Sequence, residues 1–151
     1  MKTILIAGLP GSGKTFLATA LKKALEDKQC QVEWFNADQV REQFNDWDFS
    51  PIGRHRQMTR MKLLADKAKA NGSYVICDFV CPTKQLRTDF NADYVVWMDT
   101  IDEGRFEDTN KVFQRLDNTE YNAIITEHEW WNTLHAQEWA KEIIRRLNAD
   151  D

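Results

Sequence analysis

The chain has 151 residues, 42% hydrophobic and 29% charged, with a net charge of −4, which is one domain's worth of ordinary globular composition with room for a single core. The acidic balance excludes an overall basic field for a long nucleic acid and leaves open only a local basic groove. Three cysteines, Cys30, Cys77 and Cys81, are odd in number and lack C-x-x-C spacing, so a disulfide framework and a zinc site are both disfavoured and reduced thiols in a cytoplasmic protein are expected.

The chain starts "MKTILIAGL". This apolar run is short for a signal core, has no small-residue cleavage site and ends at Pro10, so it reads as part of the fold. No stretch approaches the ~20 apolar residues of a membrane span. Thr3–Ala7 is continuously apolar, as in a strand buried on both faces. From Lys14 to about Asp27 the apolar residues Phe16, Leu17, Ala20, Leu21, Ala24 and Leu25 keep a helical period. "VEWFN" (Val32–Asn36) predicts a second strand and "ADQVREQF" a short helix, followed by the turn-rich "NDWDFSPIG". Arg54–Asn71 predicts a long helix with Met58, Met61, Leu64, Ala65 and Ala68 inward and Asn71-Gly72 as its stop. "YVICDFV" and "DYVVWMD" predict two more strands, with a helix after Pro82 between them. Residues 104–121 are polar and irregular, "NAIIT" is a fifth strand, and Leu134–Leu147 closes the chain as a helix. Alternating strands and helices point to a single α/β three-layer domain over residues 1–151 with a parallel, about five-stranded sheet.

The sharpest signal is "GLPGSGKT", that is Gly8, Leu9, Pro10, Gly11, Ser12, Gly13, Lys14 and Thr15. It fits G-x-x-x-x-G-K-[ST], which would arise by chance in a chain of this length roughly once in a few hundred sequences. Here it also lies between a predicted buried strand and a helix, the context that such a phosphate loop requires. Glycines let successive backbone N–H groups converge on an anion, and the helix adds its positive end. Lys14 can bridge terminal phosphates and the Thr15 hydroxyl can ligate Mg²⁺. The loop is not a dinucleotide fingerprint, because Phe16 follows where a third glycine would be needed.

Asp38 falls just past the C-terminal end of the second strand, the edge where open α/β sheets hold ligands, and Arg41 follows one helical turn on. A carboxylate there can deprotonate or orient a hydroxyl and lie near the metal, and an arginine can hold an anionic acceptor. A helix N-cap is the plainer alternative for Asp38. In the cluster Arg54, Arg56, Arg60 and Lys62, Arg54 is in phase with the inward face, whereas the others read as a solvated face. Asp78 ends the third strand, where phosphate-loop enzymes place a Mg²⁺-associated carboxylate; a loop ligand is the equal alternative. Asp99 reads as a cap. Of six tryptophans, Trp34 and Trp97 belong to strands and to the core, Trp47 sits on the acceptor side where it could stack on a ring, and Trp130-Trp131 should pack the last helix or a homodimer surface.

These stretches together resemble the adenylylsulfate kinase (APS kinase) group of P-loop kinases. The match runs from the phosphate loop through D-x-x-R (Asp38, Arg41), "FNDWDFS" (Phe44–Ser50), R-x-x-Q (Arg54, Gln57) and "VICDFVCP" (Val75–Pro82) to "VVWMDT" (Val95–Thr100). The resemblance implies a P-loop kinase fold, ATP and Mg²⁺, and transfer of a γ-phosphoryl group to a sugar hydroxyl. It implies Asp38 as base or orienter, Arg41 and Arg54 with Gln57 and Phe44 on the acceptor, and a lid near 104–121 in which "DTNKVF" carries Lys111. Thr15 would hold the metal, with Asp38 or Asp78 as its carboxylate. Against the family pattern, Gln57 stands for asparagine, Cys81 for serine, and the stretch that clamps the acceptor's adenine is absent. The resemblance still implies a small anionic, nucleotide-like acceptor as the partner, and these departures bear on whether that acceptor is adenylylsulfate. A nucleoside, a modified DNA base or a nucleic-acid 5′ hydroxyl is the alternative within the same chemistry, disfavoured by the acidic charge for a long polymer. A nucleotide-sensing switch is the alternative of another class, and it would need no anion pocket.

Overall fold

The computed structural model describes residues 1–130 and 132–149. Five strands, β1 (Thr3–Ala7), β2 (Val32–Asn36), β3 (Tyr74–Asp78), β4 (Tyr94–Asp99) and β5 (Ala123–Thr126), form one sheet in the order β2-β3-β1-β4-β5. Every neighbouring pair is parallel. Parallel strands need crossovers, and these are supplied by α1 (Lys14–Asp27), α2 (Ala37–Phe44), α3 (Pro51–Ala70), α4 (Lys84–Phe90) and α5 (Glu107–Val112), while α6 (Thr133–Ala149) follows the last strand and packs on α1. All carboxyl ends of the strands therefore open on the same edge of the sheet.

Side-chain alternation along β1 splits the interior into two halves. Ile4 and Ile6 join Leu17, Leu21 and Leu25 of α1 and Ala140, Ile143 and Leu147 of α6 on one face. Leu5 and Ala7 join Val40 of α2, Met58, Met61 and Ala65 of α3 and Phe90 of α4 on the other. This is the expected three-layer arrangement. β2 lies at the sheet's edge and is only partly buried. Among the described residues no helix is long and apolar enough to cross a membrane.

Three local readings are corrected. α3 starts at Pro51, three residues before Arg54, because Ser50 caps it by accepting from the Gly53 amide and proline takes the first helical turn. The irregular segment 104–121 contains α5. Phe16 is 62% exposed; Leu17 and Ala18 carry the apolar stripe of α1 instead.

Arg87 of α4, buried to 6% exposure, ties the late loop to the third strand's exit. Its Nε donates to Glu120 Oε1 at 2.8 Å and Nη1 to the Cys81 carbonyl at 3.0 Å. Glu120 in turn accepts from the Asp117 amide. Removing one partner of a buried ion pair strands the other charge. Glu120→Ala should therefore lower the unfolding free energy by about 3–5 kcal/mol, read as a lower urea midpoint at unchanged slope.

Candidate functional site

The exit of β1 leads straight into the phosphate loop. At Gly8 an added Cβ would lie 2.8 Å from the Met98 carbonyl and 2.8 Å from Ser12 Oγ, so glycine is required by close approach. Gly13 occupies the left-handed region at φ 102° and is the N-cap of α1, with no side-chain cap bond. The first N–H groups of α1 are thus left for an outside acceptor. Thr100, just beyond β4, pins the loop by donating to the Ser12 carbonyl at 2.7 Å. Ser12 Oγ is buried and has no hydrogen-bond partner among the described residues. The residue set fits a polyphosphate and its metal.

Asp78 is buried to 2% exposure at the end of β3. Its Oδ1 accepts from Trp34 Nε1 at 3.0 Å and Asn36 Nδ2 at 3.2 Å, and its Oδ2 from Thr15 Oγ1 at 3.1 Å and again from Asn36 at 3.2 Å. A carboxylate has about four acceptor sites, so its capacity is filled. The Thr15 proton is committed to Asp78, which turns the hydroxyl's lone pairs elsewhere. Burial raises the Asp78 pKa, opposed by these hydrogen bonds and by Lys14. Asn36 meanwhile caps α2, accepting from the Gln39 amide at 3.1 Å, so the N-cap role open to Asp38 belongs to Asn36.

Asp38 itself is exposed, with Lys14 and Arg41 near enough to feel its charge. It lines a cleft of about 810 Å³ whose walls also hold Gly11, Gly13, Lys14, Thr15, Arg41, Arg54, Gln57 and Asp78. Arg41 is buried, with Nη1 donating to the carbonyls of Asp46 at 3.0 Å and Asp48 at 3.3 Å, and its guanidinium lies 4.2 Å from the Phe49 ring centre. Arg54 Nε holds the Phe49 carbonyl at 2.8 Å, and Nη2 reaches Thr109 at 3.4 Å. Gln57 reaches the cleft wall, but its amide is engaged at both ends, donating to the Ala37 carbonyl at 3.0 Å and accepting from Arg60 at 2.8 Å.

Two expected acceptor and lid residues are not brought to the cleft. Phe44 is half-exposed beneath Arg60, 4.3 Å from ring centre to guanidinium, and does not line it. Lys111 points to solvent and pairs with Glu107 at 3.6 Å. Arg56 and Arg60 are not merely solvated, since both grip Asp46. Trp34 is only partly buried and serves Asp78, Trp97 is core, and Trp130 packs against Gly13, while Trp131 lies outside the described residues. Asp99 accepts two bonds from Arg115, at 3.1 and 2.8 Å. Cys81 is buried at φ 46°, and burial pushes its thiol well above the ordinary range, so it is no nucleophile.

The cleft also includes residues that sequence reasoning did not single out. Phe49 lay inside the "FNDWDFS" match without being singled out, and Phe16 and Phe79 had been assigned to apolar periods. Arg105, Phe106, Asp108 and Thr109 come from the segment 104–121, where no periodicity marked them. Gly104 is held by a reciprocal pair of bonds with the Asn110 amide, at 2.8 and 3.0 Å, which fixes the entry to α5.

The profile of the adenylylsulphate kinase family matches residues 1–100. A probable adenylyl-sulfate kinase of Aeropyrum pernix is 39% identical over 83 residues, covering 54% of this chain and 45% of that protein. An adenylyl-sulfate kinase of Halothermothrix orenii is 28% identical over 86 residues, covering 56% and 46%. The chain thus spans about half the length of these relatives. Among solved structures, the APS kinase CysC of Mycobacterium tuberculosis in complex with AMPPNP and APS superposes with a TM-score of 0.77 at 21% identity, covering 97% of both chains. At that identity the likeness concerns the fold, as does that to a gluconokinase of Sinorhizobium meliloti, with a TM-score of 0.66 at 9% identity.

Lys14 folds back in this structure, donating from Nζ to the Leu9 carbonyl at 3.0 Å. Burial lowers its pKa from 10.5 to about 8, against the pull of Asp78 and Asp38. With the folded value below the unfolded one, the unfolded chain holds the extra proton between pH 8 and 10.5, and stability rises with pH across that window. A bound phosphate favours the charged form, so the sign for binding is opposite. Metal-free ADP should bind with constant affinity near pH 7.5 and lose up to about tenfold per pH unit above pH 8. Lys14→Met should bind ADP more weakly and without that slope, as read by calorimetry across pH.

Proposed function

The chain belongs to the adenylylsulphate kinase family, and from that premise we propose that it is an ATP-dependent kinase. It moves the γ-phosphoryl group of ATP to a hydroxyl of a small anionic, nucleotide-like acceptor, with adenylylsulfate as the first candidate. The observation that carries this reading is one cleft with a phosphate loop in one wall and an acid and two arginines, Asp38, Arg41 and Arg54, in another. A hydrolytic switch has no use for that second set.

The roles follow from chemistry and exposure. The α1 N-terminus and Lys14 hold the donor's phosphates. Mg²⁺ would be held from the protein side by Thr15, and when bound it would supply positive charge against the negative charge of the phosphate oxygens. The saturated Asp78 orients the Thr15 hydroxyl. Asp38, solvent-accessible, is available to take or orient the acceptor's hydroxyl proton. Arg41 and Arg54 present guanidinium groups to an anionic acceptor. Their bonds to the carbonyls of Asp46, Asp48 and Phe49 fix where those charges sit. Phe79, Pro82 and Phe106 give the cleft apolar walls that limit water, which suits a transfer in which water is a competing acceptor.

Asp38→Asn should lower acceptor phosphorylation at least 100-fold while leaving ADP affinity within about twofold, measured with γ-labelled ATP and by calorimetry. ATP consumption by the unaltered protein should depend on acceptor. Equal consumption with and without adenylylsulfate, nucleosides, nucleotides and DNA ends would replace this reading with that of a switch.

A further inference from the structure

Glycine lets a loop turn its N–H groups toward an anion, and the same freedom lets those groups turn away. The peptide between Ser12 and Gly13 is where this matters most. Gly13 sits in the left-handed region at φ 102° and lines the cleft with Gly11, Lys14 and Thr15. A residue without a Cβ populates positive and negative φ about equally readily. The Ser12–Gly13 peptide could therefore flip with little backbone strain. Its carbonyl oxygen would then face an incoming phosphate where an N–H is needed.

The fold grips this peptide from behind. Thr100 is buried to 8% exposure, lies outside the cleft's lining, and donates from Oγ1 to the Ser12 carbonyl at 2.7 Å. The Ser12–Gly13 peptide is trans, and in a planar trans peptide the oxygen and the N–H point in opposite directions. Fixing the oxygen on Thr100 thus aims the Gly13 N–H away from β4. The Ser12 N–H is committed to the Leu9 carbonyl at 3.1 Å, and Ser12 Oγ is buried without a hydrogen-bond partner among the described residues. Among those residues, Thr100 is the side chain that holds this peptide.

Thr100 comes 88 residues after Ser12, and the sheet brings the two together. β4 runs parallel to β1 with Trp97 paired to Ala7, so a residue just past the end of β4 arrives beside the loop that leaves β1. Gly8 permits the approach, since an added Cβ would lie 2.8 Å from the Met98 carbonyl oxygen. A hydrogen bond this far from solvent is stronger than the same bond in water.

We propose that Thr100 is a positioning residue for the donor's polyphosphate, holding the Ser12–Gly13 peptide with the Gly13 N–H turned to the anion. The proposal rests on the kinase reading and deepens it, since it extends the donor site to a side chain outside the cleft. A threonine that only satisfied a buried carbonyl would leave ligand affinity alone.

The test uses the intact chain and metal-free ADP. Thr100→Val keeps the side chain's shape and loses the hydroxyl, and it should bind ADP about five- to tenfold more weakly by calorimetry. Thr100→Ser should restore the parent's affinity to within about twofold. In turnover, Thr100→Val should raise the KM for ATP by a similar factor and leave the KM for adenylylsulfate unchanged. Ser12–Gly13 is the one Ser–Gly peptide in the chain. Serine labelled at its carbonyl carbon and glycine labelled at its nitrogen therefore give a single correlated NMR signal for this peptide. Its N–H proton should move downfield when ADP binds the parent, a readout that needs no variant to fold. An unchanged ADP affinity in Thr100→Val, or a Gly13 N–H that does not move as ADP binds, overturns the positioning role and leaves the phosphate loop standing. Equal losses in Thr100→Val and Thr100→Ser also overturn it, because the hydroxyl is then not what matters. A parent that binds no ADP overturns the donor site and this role with it. If adenylylsulfate is not phosphorylated, that acceptor falls, while ADP affinity and the Gly13 signal still decide the role of Thr100.

Discussion

A carboxylate buried at the end of a central strand has to be satisfied by hydrogen bonds, and Asp78 is satisfied from both sides of the cleft. Thr15 reaches it from the phosphate loop, while Trp34 and Asn36 reach it from β2. Asn36 also caps α2, the helix that carries Asp38 and Arg41. The phosphate loop and α2 are therefore joined through one charge. Thr15 is linked to the first turn of α2 through three hydrogen bonds, Thr15–Asp78, Asn36–Asp78 and Gln39–Asn36, with no flexible segment between them. An unpaired charge here would be costly enough to disturb both walls together.

The parallel sheet makes this possible. Because β1, β2 and β3 all end on the same edge, the phosphate loop, the α2 N-terminus and the Asp78 carboxylate arise at neighbouring points without any long connection. Burial acts on the charges of the two walls to different effect. Lys14, lowered to about 8, is mostly protonated near pH 7 and loses its charge as the pH rises past 8, whereas Arg41 and Arg54, although burial lowers their pKa values, stay charged because a guanidinium is too basic to yield its proton.

The legible part of this design was what depends on local chemistry or simple period. The phosphate loop, all five strands and the order of the helices could be read because glycine spacing and apolar runs are local signals. Asp38 could be placed at the cleft from its position just past the end of β2, and Arg41 and Arg54 from helical phase. What escaped reading depends on partners distant in sequence. Nothing near Asp46 announces that Arg56 and Arg60 will hold it, and so the sequence does not tell that Phe44 packs on Arg60 while Phe49 lines the cleft. The saturation of Asp78 could not be foreseen because it needs Thr15 from α1 and Trp34 and Asn36 from β2, both distant from it in sequence. α5 was missed because six residues of mostly polar helix carry no periodic stripe.

Cys81 shows how a departure from the family pattern can be weighed by structure. It lines the cleft, yet its side chain is buried and its φ of 46° lies in a region that a side chain enters at a cost. What holds it there is its backbone, since the carbonyl accepts from Arg87. Burial also keeps the thiol protonated, which makes it a weak donor and a poor mimic of a serine hydroxyl. The polar work available to a serine at this position therefore has to be done elsewhere in the cleft. The charged donors among the cleft's lining residues are Lys14, Arg41, Arg54 and Arg105, and any hydrogen bond to a ligand at this point has to come from groups such as these rather than from the thiol.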